Sequence, residues 1–252
     1  MVSYIECLNV KMKKKEMKNF DKKFFGLTMG GTFPFLVKFS RFFLLALPAI
    51  FAVLALSGWG YFYQSAVSAS CCLILLAVSD KTIKSMIWLI VVAFLFSIAG
   101  DWFMSHRNGQ LLRFIFGIGF FLMAHIGYIL FCLQQGKIRY GLLSFLLIGY
   151  LLFFYVVLYP SIHDNGLLAA VLLYILASCL SLAAAAGLRL PPATRRLFVI
   201  GIALLVFSDT LIALREFSGY KAVYYLMLPT YYGSQIMITL SLLLLPFNRK
   251  TY

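Results

Sequence analysis

Acidic residues are scarce in this chain, with eight Asp and Glu against 22 Lys and Arg in 252 residues, and charged residues make up only 12% of it. A soluble domain of this size carries about twice that charged fraction, so an ordinary water-soluble globule is excluded. The five cysteines, Cys7, Cys71, Cys72, Cys132 and Cys179, match no metal-binding spacing and read as small buried apolar residues. No Walker sequence, strand-following GxGxxG, HExxH or GxSxG is present, which removes the common nucleotide-binding, zinc-peptidase and serine-hydrolase architectures. Prolines inside apolar runs are limited to Pro48 and Pro229, and the two halves share no repeat, which argues against an alternating-access carrier.

What the chain does have is apolar length. Hydrophobic residues make up 63% of the sequence, and eight runs approach the span of a bilayer: 39–58, 62–79, 86–104, 111–134, 140–159, 166–186, 195–214 and 224–246. At ~1.5 Å rise per residue most of these reach the ~30 Å hydrocarbon thickness. The expected fold is therefore all-α, a polytopic transmembrane bundle of about eight spans over residues 39–246. A basic arm (1–23) and an interfacial or re-entrant lead-in (24–38) precede it, and a short tail (247–252) follows. The formal net charge of +14 does not indicate a nucleic-acid partner, because the basic residues lie in the arm and in gaps between runs. With the N-terminus inside, 18 of them fall on one face and only Arg107, Arg113, Arg215 and Lys221 on the other. That bias predicts cytoplasmic N- and C-termini. All loops are short, so any activity has to be built from the bundle itself.

Inside these runs two carboxylates stand out. Asp101 follows Ser97-Ile98-Ala99-Gly100 near the end of the third run, and Asp209 follows Phe207-Ser208 in the seventh. A charge in an apolar span is costly and needs a partner or a purpose. One reading has each aspartate reaching the headgroup region or capping a neighbouring helix. The other has both at one depth, ~5–8 Å from the outer helix ends, facing one cavity as an acid and a base. His125 lies mid-span on a stripe with Gly117, Phe121 and Tyr128, where it is either a satisfied packing residue or an orienting group for an aspartate. The last run carries Tyr231, Tyr232 and Gln235, and Tyr231 with Gln235 at i,i+4 predicts a polar edge facing inward. Arg215 and Lys221, just past Asp209, are rim charges or cations for a phosphate. His106 reads as an interfacial residue, Asp80 as a solvated helix end and Asp164 as a turn residue.

Five segments together carry a resemblance: Ser97-Ile98-Ala99-Gly100-Asp101, Phe114-x-x-Gly117-x-x-x-Phe121-x-x-x-His125-x-x-Tyr128, Leu158-Tyr159-Pro160, Phe207-Ser208-Asp209-x-x-Ile212-Ala213 and Thr230-Tyr231-Tyr232-x-x-Gln235. In this order they resemble the motifs of the lysoplasmalogenase family of integral membrane proteins, from about residue 90 to the end. The resemblance implies a hydrolase that cleaves the vinyl ether bond of lysoplasmalogens, releasing a fatty aldehyde and glycerophosphoethanolamine or glycerophosphocholine. It implies no cofactor and no metal, and a lysophospholipid substrate taken from the bilayer of a bacterial inner membrane or a eukaryotic internal one. In that reading Asp101 and Asp209 are the catalytic pair, and His125, Tyr128, Tyr231, Tyr232 and Gln235 orient substrate or water. A non-enzymatic carrier of lipids or small amphiphiles is the alternative, and a purely structural membrane protein a third.

Overall fold

The computed structural model describes residues 43–58, 60–78 and 81–245. The basic arm, the lead-in and the tail lie outside them. Among the described residues the chain is all-helical, with α1 Ala46–Leu56, α2 Tyr61–Val78, α3 Lys81–Ser105, α4 Leu111–Gln135, α5 Tyr140–Phe153, α6 Asn165–Ala186, α7 Pro192–Ser218 and α8 Tyr224–Leu243. One helix answers to each expected run. Five of them, α3 from Met86, α4, α5 with the turns that extend it, α6 and α7, are long and apolar enough to cross a membrane. These mark a multi-pass integral membrane protein. The first expected span is shorter than its run, since α1 has 11 residues, about 16 Å at the helical rise and less than a bilayer core.

Local chemistry sets the helix ends. Asp164, expected in a turn, caps α6 by accepting a hydrogen bond from the Leu167 amide at 2.7 Å. Pro192 opens α7 at a position whose amide has no helical partner. The same helix closes on Gly219 in the left-handed region (φ 66°), where a side chain would be strained. α5 does not stop at Phe153. It widens into a π-turn at Phe154–Leu158 and then tightens into a 3₁₀ turn at Tyr159–Ser161 around Pro160.

The most extensive packing is α7 on α8 and α3 on α4, with α4 also lying on α6 and α2 on α3. Gly201 permits the first contact, because a Cβ there would stand 2.7 Å from Ile238 and 3.1 Å from the Ser234 carbonyl. Two buried clusters result. One gathers Cys71, Phe94, Tyr128, Phe131, Phe198, Ile202 and Ile238 between α2, α3, α4, α7 and α8. The other gathers Phe114, Ile118, Phe154, Leu158, Val171, Ile175 and Cys179 between α4, α5 and α6. The four described cysteines are all free and buried within these layers.

The two ends of the bundle differ. At one, the α4–α5 and α6–α7 connections are zipped together by backbone hydrogen bonds from Lys137 to Gly187 (3.2 Å), Arg189 to Gln135 (2.9 Å) and Arg139 to Ala183 (3.2 Å). At the other, where α3 and α7 end and α4 and α8 begin, the helices part around a cavity.

Candidate active site

Asp101 and Asp209 line the same cavity, which has a volume of about 460 Å³. Its wall is also made by Gln64 of α2, Phe121 of α4, Ser208 of α7 and Tyr231 of α8, and its mouth by Arg107, Arg215 and Glu216. Asp209, Phe121, Met104 and Ile212 belong in addition to a second, apolar pocket of about 60 Å³ that reaches Phe153, Leu158 and Ile175. A polar chamber and an apolar pocket thus meet at Asp209. Two carboxylates, a polar mouth and an apolar recess give the site one polar and one apolar half.

The helix ends place the two carboxylates differently from the equal depth expected. Asp101 precedes the end of α3 by four residues, whereas α7 runs on to Ser218 and leaves Asp209 nine residues from its end. Asp209 consequently sits deeper, within reach of His125. The His125 Nε2 is 3.2 Å from Asp209 Oδ2, a contact that rise alone did not predict.

Asp101 is held by one side chain. The Tyr231 hydroxyl donates to its Oδ2 at 3.0 Å, and the Tyr231 ring meets Phe121 edge-on with centroids 6.1 Å apart. Tyr231 owes its position to an irregular turn of α8. Pro229 interrupts the ladder there, Thr230 Oγ1 donates back to the Leu226 carbonyl at 2.7 Å, and Ser208 Oγ of α7 donates to the Met227 carbonyl at 2.9 Å. Ser208, next to Asp209, thereby ties the two site-bearing helices together. Beside Asp101, a Cβ on Gly100 would lie 2.9 Å from the Phe121 ring, so the close approach that this glycine permits is to an aromatic wall of the cavity.

Asp209 is backed by a buried polar layer. His125, 1% exposed, places its Nδ1 2.9 Å from Ser181 Oγ, while its Nε2 faces the Tyr174 hydroxyl at 3.2 Å and Ser178 Oγ at 3.4 Å as well as Asp209. Tyr174 lines the apolar pocket together with Asp209. Tyr174, Ser178 and Ser181 stand at i, i+4 and i+7 on α6, a hydroxyl stripe on an otherwise apolar helix. The sequence reading overlooked all three. An isolated serine in an apolar run looks like packing, and only the stripe spacing opposite His125 would have given it away.

The remaining expected site residues divide. Tyr128, Tyr232 and Gln235 are fully buried and do not line the cavity. The Tyr128 ring packs edge-on against His125 at 6.1 Å, and the Gln235 amide makes no side-chain hydrogen bond among the described residues. Both members of the expected Tyr231–Gln235 edge are buried, and only Tyr231 lines the cavity. Arg215 reaches the mouth, and the Lys221 side chain lies outside the described residues. Arg107, read only as a loop charge, forms a two-point ion pair with Glu216 at 2.7 and 3.1 Å and lies over the Phe114 ring at 5.3 Å. This pair ties the α3–α4 turn to the end of α7 at the cavity mouth. His106 stacks on Trp102 and bonds its carbonyl, as an interfacial residue would.

No curated protein and no solved structure matched the chain. The sequence over residues 61–242 matches the YhhN family, which includes lysoplasmalogenase and is consistent with a hydrolase. That stretch runs from the start of α2 almost to the end of α8 and contains every helix that contributes to the cavity. The chain is therefore a member of the YhhN family.

Proposed function

We propose that this protein hydrolyses the vinyl ether bond of lysoplasmalogens with Asp101 and Asp209 as its acid-base pair. The observation that carries the reading is the single cavity that both carboxylates line, continued by an apolar pocket at Asp209. The polar mouth suits a phosphate-bearing headgroup, with Arg107 and Arg215 as cations that line it. At about 60 Å³ the apolar pocket admits only the first atoms of a chain, so the rest of the alkenyl group extends between helices into the bilayer.

The chemistry balances on the two carboxyl groups. Asp101, protonated, gives its proton to the alkene carbon remote from oxygen, and the ether-bearing carbon becomes an oxocarbenium ion. Asp209, ionised, stabilises that cation and takes a proton from a water that attacks the same carbon, forming a hemiacetal. Asp209 then returns this proton to the glycerol oxygen while Asp101 takes the hemiacetal hydroxyl proton. The C–O bond breaks, aldehyde and alcohol leave, and both carboxyls are restored. Two carboxylates divide labour in the same way in glycoside hydrolysis. Tyr231 holds Asp101 in place, and His125 holds Asp209.

The test is aldehyde release from a purified, detergent-solubilised protein given a lysoplasmalogen. Wild type is expected to release aldehyde, and Asp101→Asn and Asp209→Asn to release almost none while folding normally. Full hydrolysis by both variants overturns the assignment. Movement of intact substrate across reconstituted vesicles without aldehyde would instead mark a carrier.

A further inference from the structure

The hydroxyl of Ser181 has one hydrogen and two acceptors within reach. Its Oγ is 2.8 Å from the Ser178 carbonyl, to which it can donate, and 2.9 Å from His125 Nδ1. Ser181 is 0% exposed and His125 1% exposed, so no bulk water competes for either contact. Whichever acceptor receives the Ser181 hydrogen decides where the imidazole carries its own. If Ser181 donates to Nδ1, the ring proton sits on Nε2 and can be donated to an ionised Asp209 at 3.2 Å. If Ser181 donates to the Ser178 carbonyl, its oxygen accepts from Nδ1–H, and bare Nε2 can accept from a protonated Asp209. Along the Ser181–His125–Asp209 chain each hydrogen has an acceptor in both arrangements, which differ by one hydroxyl rotation, a shift of the ring proton and the proton on Asp209. The Tyr174 hydroxyl lies 3.2 Å from Nε2.

The geometry points to Ser181 as a two-position hydroxyl that couples the tautomer of His125 to the protonation of Asp209. It is a positioning residue, acting on the carboxylate through the ring. Asp209 then keeps a hydrogen-bonded Oδ2 whether it is charged or neutral, the two states through which an acid-base residue must pass in every turnover. Its kinetic part rests on the hydrolase reading, and its structural part does not. The titratable groups facing the ring among the described residues are Asp209 from α7, Tyr174 from α6 and Tyr128 from its own helix.

Two measurements separate these parts. The chain has only three histidines, so ¹⁵N spectra of the labelled protein in detergent, assigned by replacing His106 and His163, report the His125 ring alone. Across the ionisation of Asp209 the ring is expected to pass from the Nδ1–H form at low pH to the Nε2–H form at high pH, and Ser181→Ala to lose that exchange. A ring that keeps Nε2–H throughout would mean that Asp209 takes protons on Oδ1 alone, and that result overturns the proposal. So does a ring that turns doubly protonated in step with Asp209, or an exchange unchanged in Ser181→Ala. In the aldehyde assay Ser181→Ala should lower kcat about tenfold with KM unchanged and distort the pH profile. Ser181→Thr, which keeps a hydroxyl, should restore both. If no lysoplasmalogen is hydrolysed by the wild type, the functional reading falls and the spectra still decide the switch.

Discussion

The two aspartates share a cavity and have opposite surroundings. Asp101 stands near the end of its helix with one hydrogen-bonding side chain, Tyr231, supplied by a helix that is itself irregular at Pro229. Asp209 sits deeper and is backed by His125, which is in turn held by hydroxyls of a third helix. Equal depth and equal exposure would have made the pair interchangeable. Their unequal settings give each carboxyl a different neighbourhood, and two titratable groups in different environments are what an acid-base division of labour requires.

Removing the carboxylates breaks the comparison most severely. Asp209→Asn and Asp101→Asn should each lower the rate of aldehyde release by about 10²–10⁴-fold, the range expected for a lost acid or base. Thermal unfolding in the same detergent should show both variants folded. Next in size is His125→Ala, which strips Asp209 of its backing and leaves Ser181 and Tyr174 facing a hole. It should lower stability by ~1–3 kcal/mol, as expected for orphaned buried polar groups, and reduce kcat more than any change at Tyr231.

Tyr231→Phe removes only the hydroxyl bonded to Asp101. A smaller effect is expected, ~1 kcal/mol of stability and a modest fall in kcat, because Asp101 remains open to the cavity. If Tyr231→Phe is as damaging as His125→Ala, the contrast between a lightly held and a firmly backed carboxylate is wrong. The smallest effect should come from the mouth. Glu216→Gln breaks the ion pair with Arg107, which is one-third exposed, and such pairs contribute ~0–1 kcal/mol. Stability should barely change, while KM for a phosphate-bearing substrate shifts through the loosened α3–α4 turn.

The bundle was legible in the sequence because lipid permits so few solutions. A long apolar run must satisfy its backbone internally, so each run became a helix. Helix ends were less legible, because the runs were bounded by hydrophobicity while the backbone follows its caps. α7 continues through Arg215 and Glu216 to Gly219, and that extra length carries Asp209 down to His125. The costly carboxylates, the buried histidine and Tyr231 announced themselves by being polar where polarity is expensive. Ser178 and Ser181 did not, since a serine hydroxyl can bond back to its own helix and pass unnoticed, and Tyr174 did not, since its ring is at home in an apolar span. Arg107 was hidden for another reason: its partner lies 109 positions away, and no local pattern links a loop arginine to a glutamate at the end of α7. Gln235 shows the converse, a polar residue inside a span that does not face the cavity.

Whether Asp101 and Asp209 act as one unit on one substrate is decided by a double-mutant cycle on kcat for vinyl ether hydrolysis. Residues that work as a pair lose their contribution together, so Asp101→Asn, Asp209→Asn and the combined variant should fall to about the same residual rate. A double variant whose loss equals the product of the two single losses, or a single variant that hydrolyses at the wild-type rate, would contradict the account.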